Sequence, residues 1–428
     1  MRKILLISSA DPFSGPGVIG KEKYDILNKY STQYNLDVDM LTIFEQPQCP
    51  EIKFIYKTKG IINSVVTFFR RLPQRIVNRY SKQPKDGYYF FYRKETSPPI
   101  PVSLVLNKVQ KNYDIILVYF WQGLLSFKTI NDLYDKYPSK FVFMCADYSP
   151  MSGGCHFTNN CEQFKTGCGA CKAFDSSDVH DFTCFNVEYR KKVYDKVKPI
   201  IWANTYMIEF FFKQSYLLKN LKLVRGVGFL DTDFYRPLET QILKAKYNIS
   251  EEKNFIISFG CQSLTDERKG MSYMIEALNM VYERMTEDEK IRVMLLAIGN
   301  DGDIIKDKLK IDYQWLGYIP ISSLPEFYSM SNVFVCSSVN DAGPSMLAQS
   351  LACGTPLVSF EMGAALDVLV GQNNGISVKL RDAQGLADGI LEILRMPKED
   401  YLTLRKSCRN YALENNSRES FVKQVISV

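Results

Sequence analysis

Three groups of residues in this 428-residue chain have the types and spacing to do chemistry. The first is an adjacent cation pair, Arg268 and Lys269, followed by Gly270. It lies beyond a strand-like run at 255–259 and at the start of a helical stretch, where the helix dipole favours acids over bases. Two cations in that place suit a diphosphate whose charge grows as it leaves. The second group is Asp341 with Gly343, Pro344, Ser345 and Gln349. An apolar run at 332–337 ends in a polar loop, Pro344 stands where a first helical turn begins, and Gly354 and Pro356 stop the helix. Free amides at such a helix start attract phosphate. Gln349 can hydrogen-bond a sugar hydroxyl without carrying charge. An ordinary βα unit with a polar loop has the same spacing. The third group is Cys155, Cys161, Cys168 and Cys171, four thiols within seventeen residues. A Cys-x2-Cys pair with two further thiols can close a tetrahedral zinc site, with His156 as a substitute ligand. Disulfides and free thiols are the alternatives. A zinc held by four thiolates has no open position, so its role would be structural and no cofactor is expected for catalysis.

The elements that must position these groups alternate along the chain. Apolar strand-like runs at 3–8, 38–43, 114–120, 141–145, 200–203 and 221–225 are separated by helical stretches near 18–33, 126–136, 186–197 and 205–218. The rhythm repeats at 255–259, 271–284, 291–298, 322–330, 332–337, 344–353, 357–360 and 384–395. It predicts parallel sheets with helices on both faces, hence an α/β fold. The length exceeds one hydrophobic core, so two Rossmann-like domains are expected, 1–237 and 238–401, followed by a helix over 402–428. A Gly/Pro turn containing Gly15 and Gly17 follows the first strand; close chain packing explains it as well as ligand contact does. Trp121 follows the strand at 114–120, where it can stack on a sugar or fill a core. Asp147 ends the strand at 141–145, as an active-site polar group or as a loop or cap residue.

Several of these passages resemble one family. Asp341, seven residues, Gln349 and then Ser-Leu-Ala-Cys-Gly-Thr-Pro-Leu357 resemble the donor motif of the retaining glycosyltransferases of family four, in which two Glu residues hold the positions of Asp341 and Gln349. Lys269-Gly270 matches the family's Lys-Gly pair, and Arg268 stands in for an Arg that the family carries nearer the strand. Cys145-Ala-Asp-Tyr-Ser-Pro-Met-Ser-Gly-Gly-Cys-His156 resembles a polysaccharide- and lipopolysaccharide-building branch of the family that shares the cysteine cluster. The family's interdomain His falls on Ala146. The resemblance implies a GT-B fold, with two Rossmann-like domains facing across a cleft and the last helix returning to the first domain. It further implies a UDP- or GDP-sugar donor and a glycan or lipid-linked acceptor. On that reading Arg268 and Lys269 hold the diphosphate and Gln349 the ribose. Asp341 with the backbone of Gly343 to Ser345 holds the sugar, Gly15 and Gly17 lie near the donor phosphates, and Asp147 and Trp121 face the acceptor. The changed carboxylates and the missing His motivate an alternative, a catalytically silent binding partner in polysaccharide assembly.

Charge adds a surface. The net charge is +6, yet between Lys57 and Lys94 ten basic residues face one acid, Asp86, leaving the remainder at −3. Part of that segment has a helical apolar stripe opposite its arginines, interrupted by Pro73. It reads as contact with an anionic inner leaflet or as a solvated basic excursion. No recognised nucleic-acid module accompanies it, so nucleic acid is not an expected partner. No apolar run reaches the roughly 18 residues of a membrane span, and the first residues read as a strand rather than a signal peptide. The expected location is the cytoplasm, peripheral on the inner leaflet of the membrane if that segment is a contact rather than a solvated excursion. A P-loop NTPase and a Rossmann dehydrogenase are disfavoured, because neither glycine signature is present.

Overall fold

The computed structural model describes residues 1–13, 15–57, 83–85, 87–90, 94–343, 345–369, 371 and 373–428. They form two compact units. One contains residues 1–204, 208–226 and 422–428, the other residues 205–207 and 227–421. The first change-over therefore lies at 226/227 rather than 237/238, and 422–428 returns to the first unit rather than all of 402–428. The reason is the helix Lys398–Asn415, whose Leu404, Cys408 and Ala412 belong to the second unit's core. From the same helix Arg409 donates to the carbonyls of Tyr235, Ala352 and Thr232, tying 231–237 to this unit. A separate helix, Arg418–Ser427, follows.

The first unit is built on a parallel seven-stranded sheet among the described residues. Its strands are β1 (Arg2–Ile7), β2 (Leu36–Phe44), β3 (Lys53–Tyr56), β4 (Ile115–Tyr119), β5 (Lys140–Cys145), β6 (Ile200–Ala203) and β7 (Leu223–Arg225), in the order β3-β2-β1-β4-β5-β6-β7. β4 is Ile-Ile-Leu-Val-Tyr and is buried throughout, as a central parallel strand covered on both faces must be. Helix starts carry their own signals. Ser126 caps the helix Phe127–Lys136 in a capping box with Thr129. The Asp181 carboxylate accepts from the amides of Thr183 and Cys184 and starts the helix Phe182–Val197 four residues ahead of the periodic signal.

The second unit has six parallel strands among the described residues: β8 (Phe255–Ser263), β9 (Val293–Asn300), β10 (Tyr313–Trp315), β11 (Val333–Cys336), β12 (Leu357–Phe360) and β13 (Gly375–Val378). The order is β10-β9-β8-β11-β12-β13. Two buried clusters cover its two faces: one gathers Ile257, Phe259, Leu278, Leu295, Val335 and Leu386, the other Ile256, Leu296, Phe327, Phe334 and Leu351. Strand order reverses direction at β1/β4 in one sheet and at β8/β11 in the other. In open α/β sheets that switch point opens a crevice at the carboxyl ends of the strands.

Most of the basic segment, 58–82, 86 and 91–93, lies outside the described residues, and so does the amphipathic helix expected there. Described residues within it and just after it are anchored. The amide of His156 donates to the Tyr89 carbonyl at 3.1 Å, and Phe90 bridges Cys155. Glu95 is buried and accepts from Arg190 Nε at 2.8 Å and Nη2 at 2.6 Å, while its other oxygen takes the Phe127 amide at 2.8 Å. Arg190 also donates to the carbonyls of Ser149 and Ser152. Among the described residues no helix is long and apolar enough to cross a membrane.

Removing one partner of a buried pair strands the other charge, at about 3–5 kcal/mol. Glu95→Ala is therefore expected to lower the first unit's urea midpoint markedly. An unchanged midpoint would contradict this role.

Candidate functional site

In the second unit, the loops that follow β8 and β11 meet at the switch point. Gly270 has φ 68°, and a Cβ there would lie 2.0 Å from the Ser337 carbonyl oxygen, so a side chain fits neither the backbone nor the space. The close approach lets Ser337 Oγ donate to the Lys269 carbonyl at 3.0 Å and the Val339 amide to the Arg268 carbonyl at 2.8 Å. With the loops joined, Lys269 Nζ stands 2.5 Å from Asp341 Oδ2. The other oxygen, Oδ1, accepts the Gly343 amide at 3.0 Å. Burial works against the charge on Lys269, but Asp341 outweighs it and raises the pKa above the ordinary lysine value, so the side chain is a cation at neutral pH. Two residues expected to contact different parts of a donor are thus each other's partners. Lysine has three donors, so contact with Asp341 leaves capacity for a phosphate oxygen.

Arg268 is held by Asp266, Nη2 to Oδ2 at 2.5 Å, and its amide donates to Asp266 Oδ1. Asp266 was not anticipated, although Asp two residues before a cation at a helix start is a legible cap. The helix Ser345–Ala352 follows the β11 loop, with Gly343 and Ser345 exposed and Gln349 half-buried. Pro344 lies outside the described residues. Gln349 Oε1 accepts from Tyr328 OH at 2.9 Å. Thr205 Oγ1 donates to the Ala342 carbonyl at 2.7 Å and steadies the loop. Neither Tyr328 nor Thr205 had a local signal, because each arrives through tertiary packing.

In the first unit, Gly15 has φ 49° and faces open space, while a Cβ on Gly17 would fall 1.8 Å from the Asp11 carbonyl oxygen. Close chain approach is therefore reason enough for Gly17. Trp121 requires a correction. It is 2% exposed and packs edge-to-face on Phe143 and Phe127, centroids 5.4 and 6.4 Å away. It is a core residue, closed to a sugar, because the turn after β4 folds inward onto β5. Asp147 is also buried: Oδ1 accepts from the Ser149 amide at 2.9 Å and hydroxyl at 2.5 Å, and Oδ2 lies 2.5 Å from His156 Nδ1. Burial opposes its ionisation, yet His156 and Ser149 together bring its pKa below the ordinary value. Both oxygens serve the loop that carries them. An imidazole thus stands beside Asp147 although Ala146 supplies none, from a residue expected only as a spare zinc ligand.

All four clustered cysteines are free thiols. Burial is the main influence on Cys155 and Cys168 and pushes both up to about 12. Among the described residues no three His, Cys, Asp or Glu side chains form a group that could hold a metal ion. As arranged here, these residues do not fit the expected zinc.

The Gly270 geometry yields a direct test. Gly270→Ala forces an L side chain into a left-handed conformation, costing about 1–3 kcal/mol before the clash with Ser337 is counted. Thermal unfolding of the variant is expected at a clearly lower temperature, and an unshifted transition would refute the contact.

Residues 239–415 match the family Glycosyl transferases group 1. A glycosyltransferase of Methanocaldococcus jannaschii is 26% identical over 161 residues, covering 34% of this chain and 40% of that protein. N-acetyl-alpha-D-glucosaminyl L-malate synthase of Bacillus anthracis is 21% identical over 212 residues, covering 49% and 54%. The chain thus spans about half the length of the curated relatives it matches. Among solved structures, sucrose-phosphate synthase from Thermosynechococcus elongatus superposes with TM-score 0.68 at 16% identity, covering 100% of this chain and 98% of that one. With its two parallel α/β sheets and a second unit that matches Glycosyl transferases group 1, the chain has the GT-B fold of glycosyltransferases.

Proposed function

We propose that this chain is a retaining glycosyltransferase that binds a UDP- or GDP-sugar through its second unit. The sugar goes to a glycan or lipid-linked acceptor in the synthesis of a cell-surface polysaccharide. The observation that carries the reading is the Lys269–Asp341 pair, 2.5 Å apart, at the switch point of a sheet within the matched residues 239–415. A solved HepE of Anabaena, of similar fold (TM-score 0.65, 14% identity, covering 100% of this chain and 99% of that one), was captured with UDP-glucose.

In this reading Lys269 keeps one donor on Asp341 and turns the others to the diphosphate, with Arg268 beside it. The first amides of the helix Ser345–Ala352 add positive potential where the leaving charge accumulates. Asp341 and the backbone of Gly343 to Ser345 hold the sugar, and Gln349 holds the ribose. The bond from the anomeric carbon to the phosphate oxygen breaks, and a bond to the acceptor oxygen forms on the same face. The acceptor's proton passes to the leaving phosphate, so no protein base is required. Positioning and charge supply the rate. The basic segment 57–94 would hold the enzyme at the inner leaflet, with about 1 kcal/mol per basic residue near an anionic surface.

Nucleotide binding tests the reading most directly. A ligand at about a hundred times its Kd stabilises a protein by about 2.7 kcal/mol. UDP or GDP is therefore expected to raise the melting temperature, and a scan in which neither moves it rejects the donor site. Lys269→Ala is expected to abolish the shift and cut turnover by at least about 100-fold, as loss of an oxyanion-type donor does. Unchanged turnover would remove Lys269 from the mechanism.

A further inference from the structure

Gln349 stands where a carboxylate is usual in the resembling family, and its surroundings determine what the amide can do. Tyr328, on the helix Leu324–Met330, is fully buried against Phe327 and Phe334, ring centroids 5.3 and 5.6 Å away. Its backbone is fixed by Thr355 Oγ1, which donates to its carbonyl at 2.7 Å. Burial raises the phenol well above its ordinary pKa, so it keeps its proton. That proton goes to Gln349 Oε1 at 2.9 Å. Flipping the amide would point Nε2, itself a donor, at the hydroxyl. The phenol would then have to accept, and its own buried proton would lose this acceptor. The half-buried Gln349 lies four residues after the exposed Ser345, on the same helix face.

We propose that Tyr328 is a positioning residue that locks the Gln349 amide with its NH2 group toward the nucleotide, so that this chain holds the ribose by donating to a hydroxyl oxygen instead of accepting hydroxyl protons. The inference rests on the donor-site reading above and sharpens it. An ionised carboxylate accepts from two hydroxyls through charge-assisted bonds. A locked amide offers a neutral donor that one remaining hydroxyl can still satisfy. The site should therefore tolerate a 2′-deoxyribonucleotide better than a carboxylate site does.

Calorimetric titrations of UDP and GDP, each with its 2′-deoxy form, test this on the wild-type chain and on Tyr328→Phe, Gln349→Ala, the double variant and Gln349→Glu. Tyr328→Phe is expected to weaken nucleotide binding roughly 2- to 10-fold, the loss of one neutral hydrogen bond, and to add nothing once Gln349 is Ala. Equal weakening in both backgrounds would reduce Tyr328 to a structural role and overturn the proposal, as would no weakening in the wild-type background. Removing the 2′-hydroxyl should cost the wild type roughly 2- to 10-fold and Gln349→Glu roughly 10- to 100-fold. A wild type that already discriminates 100-fold overturns the locked donor. Failure of the wild type to bind either nucleotide would instead bring down the donor site itself, and this inference with it.

Discussion

Holding an ammonium and a carboxylate at 2.5 Å requires that the two backbones carrying them cannot drift, and the second unit's loops and strands meet that requirement. Lys269 and Asp341 lie 72 residues apart on separate loops. What joins those loops is mainly backbone: the Ser337 hydroxyl on the Lys269 carbonyl, the Val339 amide on the Arg268 carbonyl, and a glycine where a side chain would collide. Behind them stand two adjacent parallel strands, β8 and β11, in fixed register. Buried cores on both sheet faces hold that register. The polar site is thus an outcome of apolar packing, which sets where the strands end and so where the loops meet.

The first unit places its own buried charges differently. Arg190 collects Glu95 and two carbonyls of the 149–152 turn, and Asp147 collects Ser149 and His156. Gln122 Nε2 donates to Ser149 Oγ at 2.5 Å, linking the β4 and β5 loops. Each carboxylate here is engaged by side chains and backbone amides of its own unit. The contrast with the second unit is physical. Lysine at Lys269 has donors beyond those Asp341 takes, whereas an ionised Asp147 has no proton to give and both of its oxygens are engaged.

The α/β rhythm and the presence of two parallel sheets were legible because buried parallel strands and amphipathic helices leave strong patterns of apolar residues. β3 and β13 were not anticipated, being strands of only four residues, too short to set a pattern of their own. Residues 291–292 read as the start of a strand, yet Thr286 and Glu289 form a capping box that starts the helix Glu287–Arg292 and leaves Ile291 exposed. The cation pair and Asp341 could be named from type and position alone. Their mutual contact could not, because it depends on how closely two loops approach. Trp121 shows the opposite failure: an aromatic beside a strand end carries no mark of which way the following turn folds. Tyr328 lies 21 residues from Gln349, and no linear pattern joins them.

Residues 422–428 belong to the first unit, with Val422, Val425 and Val428 buried, Gln424 bonded to the Arg225 carbonyl and the Val428 carbonyl taken by Lys140. Domains generally fold in the order in which they leave the ribosome. Here the unit made first lacks part of its own interior until more than four hundred residues have been synthesised. The second unit, contained within 205–421, has all its parts earlier. The two units are thus completed within seven residues of each other, at 421 and 428, so neither can close its interior much before the other.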